Sequence, residues 1–245
     1  MIDQSADGSE PRILIVGDAA VCVEFGSRID PAVNGRVMAL DAAVRTLDMP
    51  GIVETVPTYR SLMIHMDPCS IDHDSLIQTL RDLAASLPAH VAMPRRWEVP
   101  VVYGGAFGED LALIAEHARL SPEAFVEAHA AAVYRVYMIG FMPGFSYLGG
   151  MDPRLAMPRR EQPRPRVPPS SVAIGGDQCS IGSLESPSGW RLIGRTPVRP
   201  YMPDREPRFL FSPGEEIIFR SVEPAMWPDL DAAAAAGEPV AMAIA

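Results

Sequence analysis

The sequence predicts an α+β protein with a small split βαβ domain at the N-terminus and a β-rich second domain. Its 245 residues, 48% hydrophobic and 21% charged, suit a folded chain of one large or two modest domains. In the N-terminal part, short strand-like runs alternate with two segments of helical periodicity. Beyond residue 134, short β-rich runs alternate with connections dense in Gly and Pro, which is typical of a barrel or a sandwich.

The N-terminal elements follow the order β-α-β-β-α-β. Asp30 and Pro31 supply an N-cap and a first-turn proline to one helix, whose apolar residues recur at helical spacing up to Leu47. Asp72 or Asp74 can cap a second helix, which is closed by Pro88. The strand-like runs cover residues 19–25, 52–56, 62–66 and 97–103. This order predicts an antiparallel sheet with both helices on one face.

The second part begins with helices and continues with strands. Residues 111–119 have a short helical pattern, and Ser121, Pro122 and Glu123 form the start of a further helix. An Ala-rich tail from Asp229 fits a last helix. The predicted strands cover residues 134–141, 171–174, 190–193, 208–211 and 216–222. A polar, proline-containing joint at residues 89–96 predicts two domains, 1–92 and 93–245.

The charge balance excludes several classes of function. All 21 basic residues are Arg, and 31 acidic residues give a net charge of -10. A chain without Lys has neither a Schiff-base lysine nor a P-loop lysine, so we expect any ATP that it uses to be bound elsewhere. A strongly acidic chain also argues against nucleic-acid binding, which requires a basic face.

The cysteines and the N-terminus indicate the class of protein and its location. Cys22, Cys69 and Cys179 are widely spaced, which favours neither a disulfide framework nor a metal site. The acidic N-terminus lacks a basic region followed by an apolar one, and no run reaches the roughly 18 apolar residues of a membrane span. We expect a cytoplasmic protein that does not bind membranes.

The histidines restrict catalytic interpretations. All five lie in the first 129 residues, so residues 130–245 contain none. A Cys nucleophile requires a base to activate it. We therefore interpret Cys179 as a passive buried thiol.

One Gly-rich segment, residues 140–150, combines four glycines and a proline with aromatic residues. Glycine lets the backbone approach a ligand closely, while aromatic side chains can form the walls of a site. Glycines can equally form the bends of a barrel. The candidate binding residues in this segment are Phe141, Pro143, Gly144, Phe145 and Tyr147.

Further candidates lie in residues 141–210. This segment contains ten Arg and only six acidic residues, although the protein as a whole is acidic. Such an excess favours the recognition of a carboxylate or another anion. Gly175 and Gly176 lie in a turn beside Gln178, which offers an amide. The planar guanidinium of Arg195 could bind a carboxylate through two nitrogens. Alternatively, Arg195 is an ordinary surface arginine on an exposed strand. If residues 190–195 form a strand, their side chains alternate between its two faces, which predicts that Arg191 and Arg195 share one face.

Several of these segments carry a resemblance to a known family. Residues 140–155, 167–178 and 189–197, together with 17–26 and 56–68, resemble successive motifs of the allophanate hydrolase subunit 1 family. That family includes the B subunit of 5-oxoprolinase and the KipI-type kinase inhibitor. The resemblance extends in order over residues 13–222.

The resemblance implies a cyclophilin-like β-barrel for the second domain. It also implies a complex with two further proteins. One is of the allophanate hydrolase subunit 2 type, which corresponds to the C subunit of 5-oxoprolinase, and the other is an A subunit of the LamB/YcsF type. Such a complex uses ATP to open 5-oxoproline, a small cyclic amide, to glutamate. We expect the isolated chain to be inactive.

Two alternatives stay open from the sequence: a subunit of the allophanate hydrolase or urea carboxylase type, and a non-catalytic KipI-like histidine kinase inhibitor. Where the family has a Thr-Gly-Ile-Tyr-Pro type sequence, this chain has Cys179-Ser180-Ile181-Gly182-Ser183. The exact amide and the catalytic residues are therefore not assigned by the resemblance.

Overall fold

The computed structural model describes residues 10–87 and 94–244. Their contacts form two compact units, one within residues 1–93 and one within residues 94–245. The predicted joint at 89–96 lies mostly outside the described residues, so the domain bounds 1–92 and 93–245 stay a prediction. Within the described ranges, no helix has the length and apolar character that crossing a membrane requires.

The first unit is a four-stranded antiparallel sheet with two helices. The strands are ordered β1-β2-β4-β3, and all neighbouring pairs are antiparallel. Its elements are β1 (Arg12–Ile15), β2 (Ala20–Glu24), α1 (Pro31–Thr46), β3 (Ile52–Pro57), β4 (Ser61–Met66) and α2 (His73–Ala85).

The predicted order of this unit was wrong at both ends. The strand predicted at 97–103 belongs to the second unit, and β1 (Arg12–Ile15), which was not predicted, completes the first sheet. β1 is an edge strand of four residues whose Ile15 is 58% exposed, so it lacks the alternation of a half-buried strand.

The two helices begin as their sequences predict. The Asp30 carboxylate accepts hydrogen bonds from the backbone N–H groups of Ala32 and Val33, at 2.7 and 3.2 Å. The Asp72 carboxylate accepts one from Ser75 N–H at 2.9 Å, so Asp72 rather than Asp74 is the cap. These bonds satisfy N–H groups that a helix leaves free at its start. Apolar faces of both helices join the sheet in one core: Val37, Leu40, Val44, Leu76 and Leu80.

The second unit is a closed barrel of seven strands, which confirms the predicted α+β class with a β-barrel. The order is β5-β12-β9-β10-β7-β6-β13, and β13 pairs in parallel with β5 to complete the circle. The end of β5 pairs with β12 and its beginning pairs with β14. The barrel strands are β5 (Arg96–Tyr103), β6 (Val133–Ile139), β7 (Ser146–Gly149), β9 (Ser171–Gly175), β10 (Gln178–Ile181), β12 (Arg191–Arg195) and β13 (Glu216–Ser221).

The remaining elements lie around this barrel. The helices α3 and α4 contribute Ile114 and Phe125 to the barrel core. A separate two-stranded ribbon joins β8 to β11. These elements are α3 (Leu111–His117), α4 (Pro122–Ala131), β8 (Arg164–Val167), β11 (Ser186–Ser188), α5 (Trp227–Ala235) and β14 (Met242–Ala243).

Four predicted strands and three predicted helices of this unit are confirmed, but the strand at 208–211 was wrong. In that region, a single bridge joins Tyr201 to Phe209. The surrounding segment, 197–213, contains five prolines, which cannot donate the hydrogen bonds of a strand ladder. The unpredicted strand β10 follows Gly175 and Gly176, which the sequence placed in a turn, and the unpredicted strand β7 lies within the Gly-rich segment.

Candidate functional site

The outer surface of the barrel carries an aromatic cluster around Trp190. Val172 and Ile174 of β9 belong to the barrel core, so Ala173 between them faces outward. Ala173 packs with Trp190 in a cluster that is separate from the core. The other members of the cluster are Val167, Leu192 and the partly buried Tyr147. We call this surface the Trp190 face.

The Gly-rich segment supplies the aromatic side of the Trp190 face. The Phe145 ring is buried and lies 6.3 Å from the Trp190 ring and 4.7 Å from the Tyr147 ring. Phe141 packs edge-on against Phe145 at 5.7 Å, yet 66% of its surface is exposed. The segment therefore forms an aromatic surface on which the exposure of the rings increases from the buried Phe145 to the exposed Phe141.

Gly144 is required where the Gly-rich segment passes another loop. Its φ is +78°, and a Cβ there would lie 2.6 Å from Cβ of Tyr201. Both the backbone conformation and the close approach exclude a side chain. The neighbouring Pro143 is exposed. The backbone packing therefore explains why residue 144 is a glycine, whereas Phe141 and Pro143 are exposed to solvent.

The turn between β9 and β10 places the other predicted residues beside Trp190. A Cβ at Gly175 would lie 2.6 Å from the indole ring, so the ring packs directly on this glycine. Gly176 exchanges two backbone hydrogen bonds with Met157, at 2.8 and 3.2 Å. Gln178 pairs with Gly175, which puts its side chain on the same outer face. Among the described residues, that amide has no hydrogen-bond partner.

Arg195 lies apart from this group and has partners within the chain. Its Nε and Nη2 donate hydrogen bonds to the Pro169 carbonyl oxygen at 3.2 and 3.1 Å. The guanidinium lies over the Trp227 ring, 4.9 Å from its centroid. Burial lowers the pKa of Arg195. A role for Arg195 in binding stays a prediction, because its hydrogen bonds and its ring contact go to Pro169 and Trp227 rather than to Trp190.

The prediction that Arg191 and Arg195 share a face was wrong. Arg191 pairs with Ile174 and Arg195 pairs with Ser171, three positions apart on β9. Side chains three apart on a strand point to opposite faces. The register shift between Leu192 and Gly194 is the cause, because a bulge inverts the alternation of the residues that follow it.

A cavity of about 540 Å³ beside the Trp190 face is lined by three arginines and one acid. None of these four residues is among the binding candidates predicted from the sequence, although all four lie in residues 141–210, where Arg is in excess. We call this cavity the basic groove. Its lining residues are His117, Met157, Pro158, Arg159, Arg160, Glu161, Gln162 and Arg191.

A buried carboxylate fixes the segment that forms the groove. Asp110 is 4% exposed and accepts hydrogen bonds from Arg164 Nη1 and Nη2, at 2.8 and 3.0 Å, and from Leu192 N–H at 2.8 Å. Burial alone raises the pKa of Asp110, but the hydrogen bonds from Arg164 and Leu192 outweigh it and the pKa is lowered. The carboxylate is therefore charged and holds the proline-rich segment to the barrel.

The barrel interior holds a second polar group, formed by Tyr103, His129 and Cys179. His129 Nδ1 lies 2.9 Å from the Tyr103 hydroxyl, and Nε2 lies 3.4 Å from Cys179 Sγ. Burial lowers the pKa of His129 to about 3 and raises that of Cys179. Both groups are neutral at physiological pH, so this pair is not a thiolate activated by an imidazolium.

The expectation that no histidine lies near Cys179 was wrong, because His129 belongs to the same compact unit and its Nε2 lies 3.4 Å from Cys179 Sγ. The expected buried thiol is nevertheless present, since Cys179 is fully buried. Within residues 10–87 and 94–244, no three His, Cys, Asp or Glu side chains are grouped to hold a metal ion.

Comparisons with known proteins agree with this architecture. Residues 11–211 match the family described as the carboxyltransferase domain, subdomain C and D, and the chain belongs to that family. Within it, the chain is similar to the B subunit of the 5-oxoprolinase of Bacillus subtilis (strain 168), with 36% identity over 83% of this chain and 90% of that protein. It is similar to the B subunit of the 5-oxoprolinase of Escherichia coli O157:H7, with 38% identity over 85% and 94%.

Solved structures share the fold. The crystal structure of TTHA0988 matches with a TM-score of 0.75 and 38% identity over 83% of this chain. The present chain spans 40% of the length of TTHA0988. The Kluyveromyces lactis urea carboxylase matches with a TM-score of 0.77 over 91% of this chain and 23% of that one. Its identity is 19%, so this second likeness concerns the fold alone.

Proposed function

We propose that this chain is the B subunit of a heteromeric, ATP-dependent 5-oxoprolinase that opens 5-oxoproline to glutamate. The observation that carries the proposal is the 36–38% identity to two proteins named as 5-oxoprolinase B subunits. Each alignment covers most of this chain and most of the relative. The urea carboxylase likeness adds no second function, because fold similarity alone does not carry a site.

The geometry of the Trp190 face supports a role in contacting a small amide or a partner protein. A flat ring can stack on the exposed Phe141 ring, and the Gln178 amide, which has no hydrogen-bond partner among the described residues, lies on the outer face beside Trp190. We keep as binding candidates Phe141, Pro143, Gly144, Phe145, Tyr147, Gly175, Gly176, Gln178 and Arg195.

ATP has a clear chemical task in this reaction. A lactam amide is inert, and transfer of a phosphoryl group to its carbonyl oxygen creates a leaving group before water attacks. This chain has no Lys, and the starts of α1, α2 and α4 are capped by their own Asp or Ser side chains. These helix starts do not fit a bound phosphate, so we propose that the partner subunits supply most of the ATP site.

The proposed partners are two further proteins of the 5-oxoprolinase complex. One is the C subunit, related to allophanate hydrolase subunit 2, and the other is an A subunit of the LamB/YcsF type. A cytoplasmic location belongs to the same proposal. The isolated chain then lacks a complete acid, base and phosphate clamp, and we expect it to be inactive alone.

Reconstitution tests the proposal. The chain is co-purified with the two proposed partners, and ATP hydrolysis is measured with 5-oxoproline, urea or allophanate. We expect hydrolysis that depends on 5-oxoproline and on all three proteins. Activity with urea or allophanate alone would move the function to the first alternative. Inhibition of a sensor histidine kinase, with no amide-dependent hydrolysis, would move it to the second.

A further inference from the structure

We infer that the basic groove binds the carboxylate of the small substrate, and that Arg159 and Arg191 are its main ligands. The inference rests on the proposed function, because 5-oxoproline carries one carboxylate beside its cyclic amide. It assigns substrate recognition to residues of this chain that lie outside the Gly-rich segment.

The first support is the set of arginines that lack an ionic partner. No carboxylate among the described residues lies within 4.0 Å of Arg159 or Arg191. Arg191 makes one long hydrogen bond, from Nε to the Pro158 carbonyl oxygen at 3.4 Å. Several other arginines of this unit are paired with carboxylates: Arg96, Arg154, Arg164, Arg199 and Arg220. The two unpaired guanidinium groups are available to a ligand.

The second support is how Arg159 is positioned. Its guanidinium lies over the Trp190 ring, 5.1 Å from the centroid. Trp190 is itself buried and packed on Gly175, where a Cβ would lie 2.6 Å from the ring. An arginine stacked on a fixed ring loses less side-chain freedom when it binds a carboxylate. The fork of Arg159 is therefore partly oriented before the ligand arrives.

The third support is the rigidity of the groove wall. Arg160 N–H donates to the Gly189 carbonyl oxygen at 2.7 Å, and Arg164 is bound through two nitrogens to Asp110. Met157 is bonded to Gly176 at the other end of the same segment. Because the segment is attached on both sides of Arg159, the spacing of the cations is fixed by the fold.

Charge and size favour a small anion. The lining holds Arg159, Arg160 and Arg191 against Glu161, and Arg160 lies 3.5 Å from the buried Asp110. A volume of about 540 Å³ lies within the roughly 300–1,000 Å³ that small-molecule sites occupy. Planar guanidinium groups suit the two oxygens of a carboxylate.

Ligand-observed NMR titrations on the full isolated chain test binding directly. The probes are 5-oxoproline, 2-pyrrolidinone, which has the same lactam ring without a carboxylate, and inorganic phosphate. We expect binding of 5-oxoproline that weakens with added salt, and at least a tenfold weaker response to 2-pyrrolidinone. Binding of phosphate without 5-oxoproline would overturn the carboxylate assignment.

Substitutions locate the site. Arg159→Gln and Arg191→Gln should each weaken 5-oxoproline binding by about tenfold, whereas Arg191→Lys should lose less because it keeps the charge. Arg166→Gln is the matched control, since Arg166 is 82% exposed, lies in the same segment and does not line the groove. Unfolding curves of the variants verify that each is folded.

Assays of the reconstituted complex distinguish a failure of this inference from a failure of the proposed function. A raised KM for 5-oxoproline with nearly unchanged kcat in the Arg159→Gln, Arg191→Gln double variant supports the inference. An unchanged KM overturns the inference and leaves the proposed function standing. Groove-dependent binding of 5-oxoproline, in a complex that never hydrolyses it, contradicts the proposed function and leaves the anion site standing.

Discussion

The inside and the outside of the barrel use polar residues in opposite ways. Inside, His129 is fully buried, carries no charge and has a partner on each ring nitrogen. In the basic groove, Arg159 and Arg191 have no carboxylate partner among the described residues, and Arg159 lies over the Trp190 ring. The interior group contains the residue types of a Cys–His nucleophile, whereas the basic groove and the Trp190 face bring three arginines together with aromatic rings.

The difference teaches that residue type is a poor guide to chemistry without burial and pairing. A neutral, satisfied network in a closed core favours one packing arrangement of that core. Charged groups that keep unused donors at an open cavity are able to bind a ligand. We therefore expect interior substitutions to change stability and exterior ones to change binding.

Removal of the His129 ring should have the largest effect. His129→Ala leaves a cavity among aromatic rings and takes a partner from the buried Tyr103 hydroxyl. We expect the free energy of unfolding to fall by about 3–5 kcal/mol, the range for truncating a large buried ring. Chemical denaturation measures the change, with the exposed His117→Ala as control. A loss no greater than that of the control would contradict the assignment of His129 to the core.

Asp110→Asn should have the next largest effect, because it removes the buried charge that Arg164 and Leu192 N–H share. We expect a loss of about 2 kcal/mol in unfolding free energy, together with weaker binding of 5-oxoproline. Glu109→Gln is the matched control, because its carboxylate is 60% exposed and contacts the same arginine. Equal effects of the two substitutions would show that the buried position does not matter.

The pH dependence of stability should show a smaller effect of the interior. Unfolded histidine has a pKa of about 6.5, whereas the pKa of His129 in the folded chain is about 3. Between these values the unfolded chain binds one more proton, so stability is lost as pH falls below 6.5. The loss approaches about 1.4 kcal/mol per pH unit. Unfolding curves at pH 7 and 5.5 should differ by about 1 kcal/mol more in the native chain than in His129→Gln. Equal differences would contradict the prediction.

The smallest effect on stability should come from the exterior. We expect Arg159→Gln to leave the free energy of unfolding within about 0.5 kcal/mol, because a stacked surface arginine without an ion pair contributes little. Thermal unfolding checks this value. A loss comparable to that of Asp110→Asn would show that Arg159 serves the fold, and the contrast between inside and outside would fail.

Local signals in the sequence predicted much of the fold. The caps at Asp30 and Ser121 were predicted, and Asp72 was one of two candidates for the third, because a side-chain acceptor next to an apolar helical pattern is a short-range feature. The strand β1 was missed because it is short and lies at an edge, and β5 was placed in the wrong sheet. Pairing between distant strands is a long-range property that periodicity does not contain.

The candidate site was predicted only in part, and for a similar reason. The aromatic and glycine residues around Trp190 form two compact motifs, so the sequence drew attention to them. Arg195 was preferred over Arg159 and Arg191 because a bulge and a stacking contact with Trp227 are not visible in the sequence. The contact between His129 and Cys179 joins residues fifty apart across the barrel, and only the closed fold brings them together.

The three tryptophans allow one measurement to test the central claim, that the outer face around Trp190 is where this chain meets its ligand. Each indole N–H gives its own NMR signal: Trp190 in the candidate face, Trp227 beneath Arg195, and Trp97 bonded to Glu215. On titration of the chain with 5-oxoproline, the Trp190 signal should move and saturate while the other two stay in place. Movement of the Trp227 signal alone would assign binding to Arg195, and an unmoved Trp190 signal at saturating ligand would contradict the account.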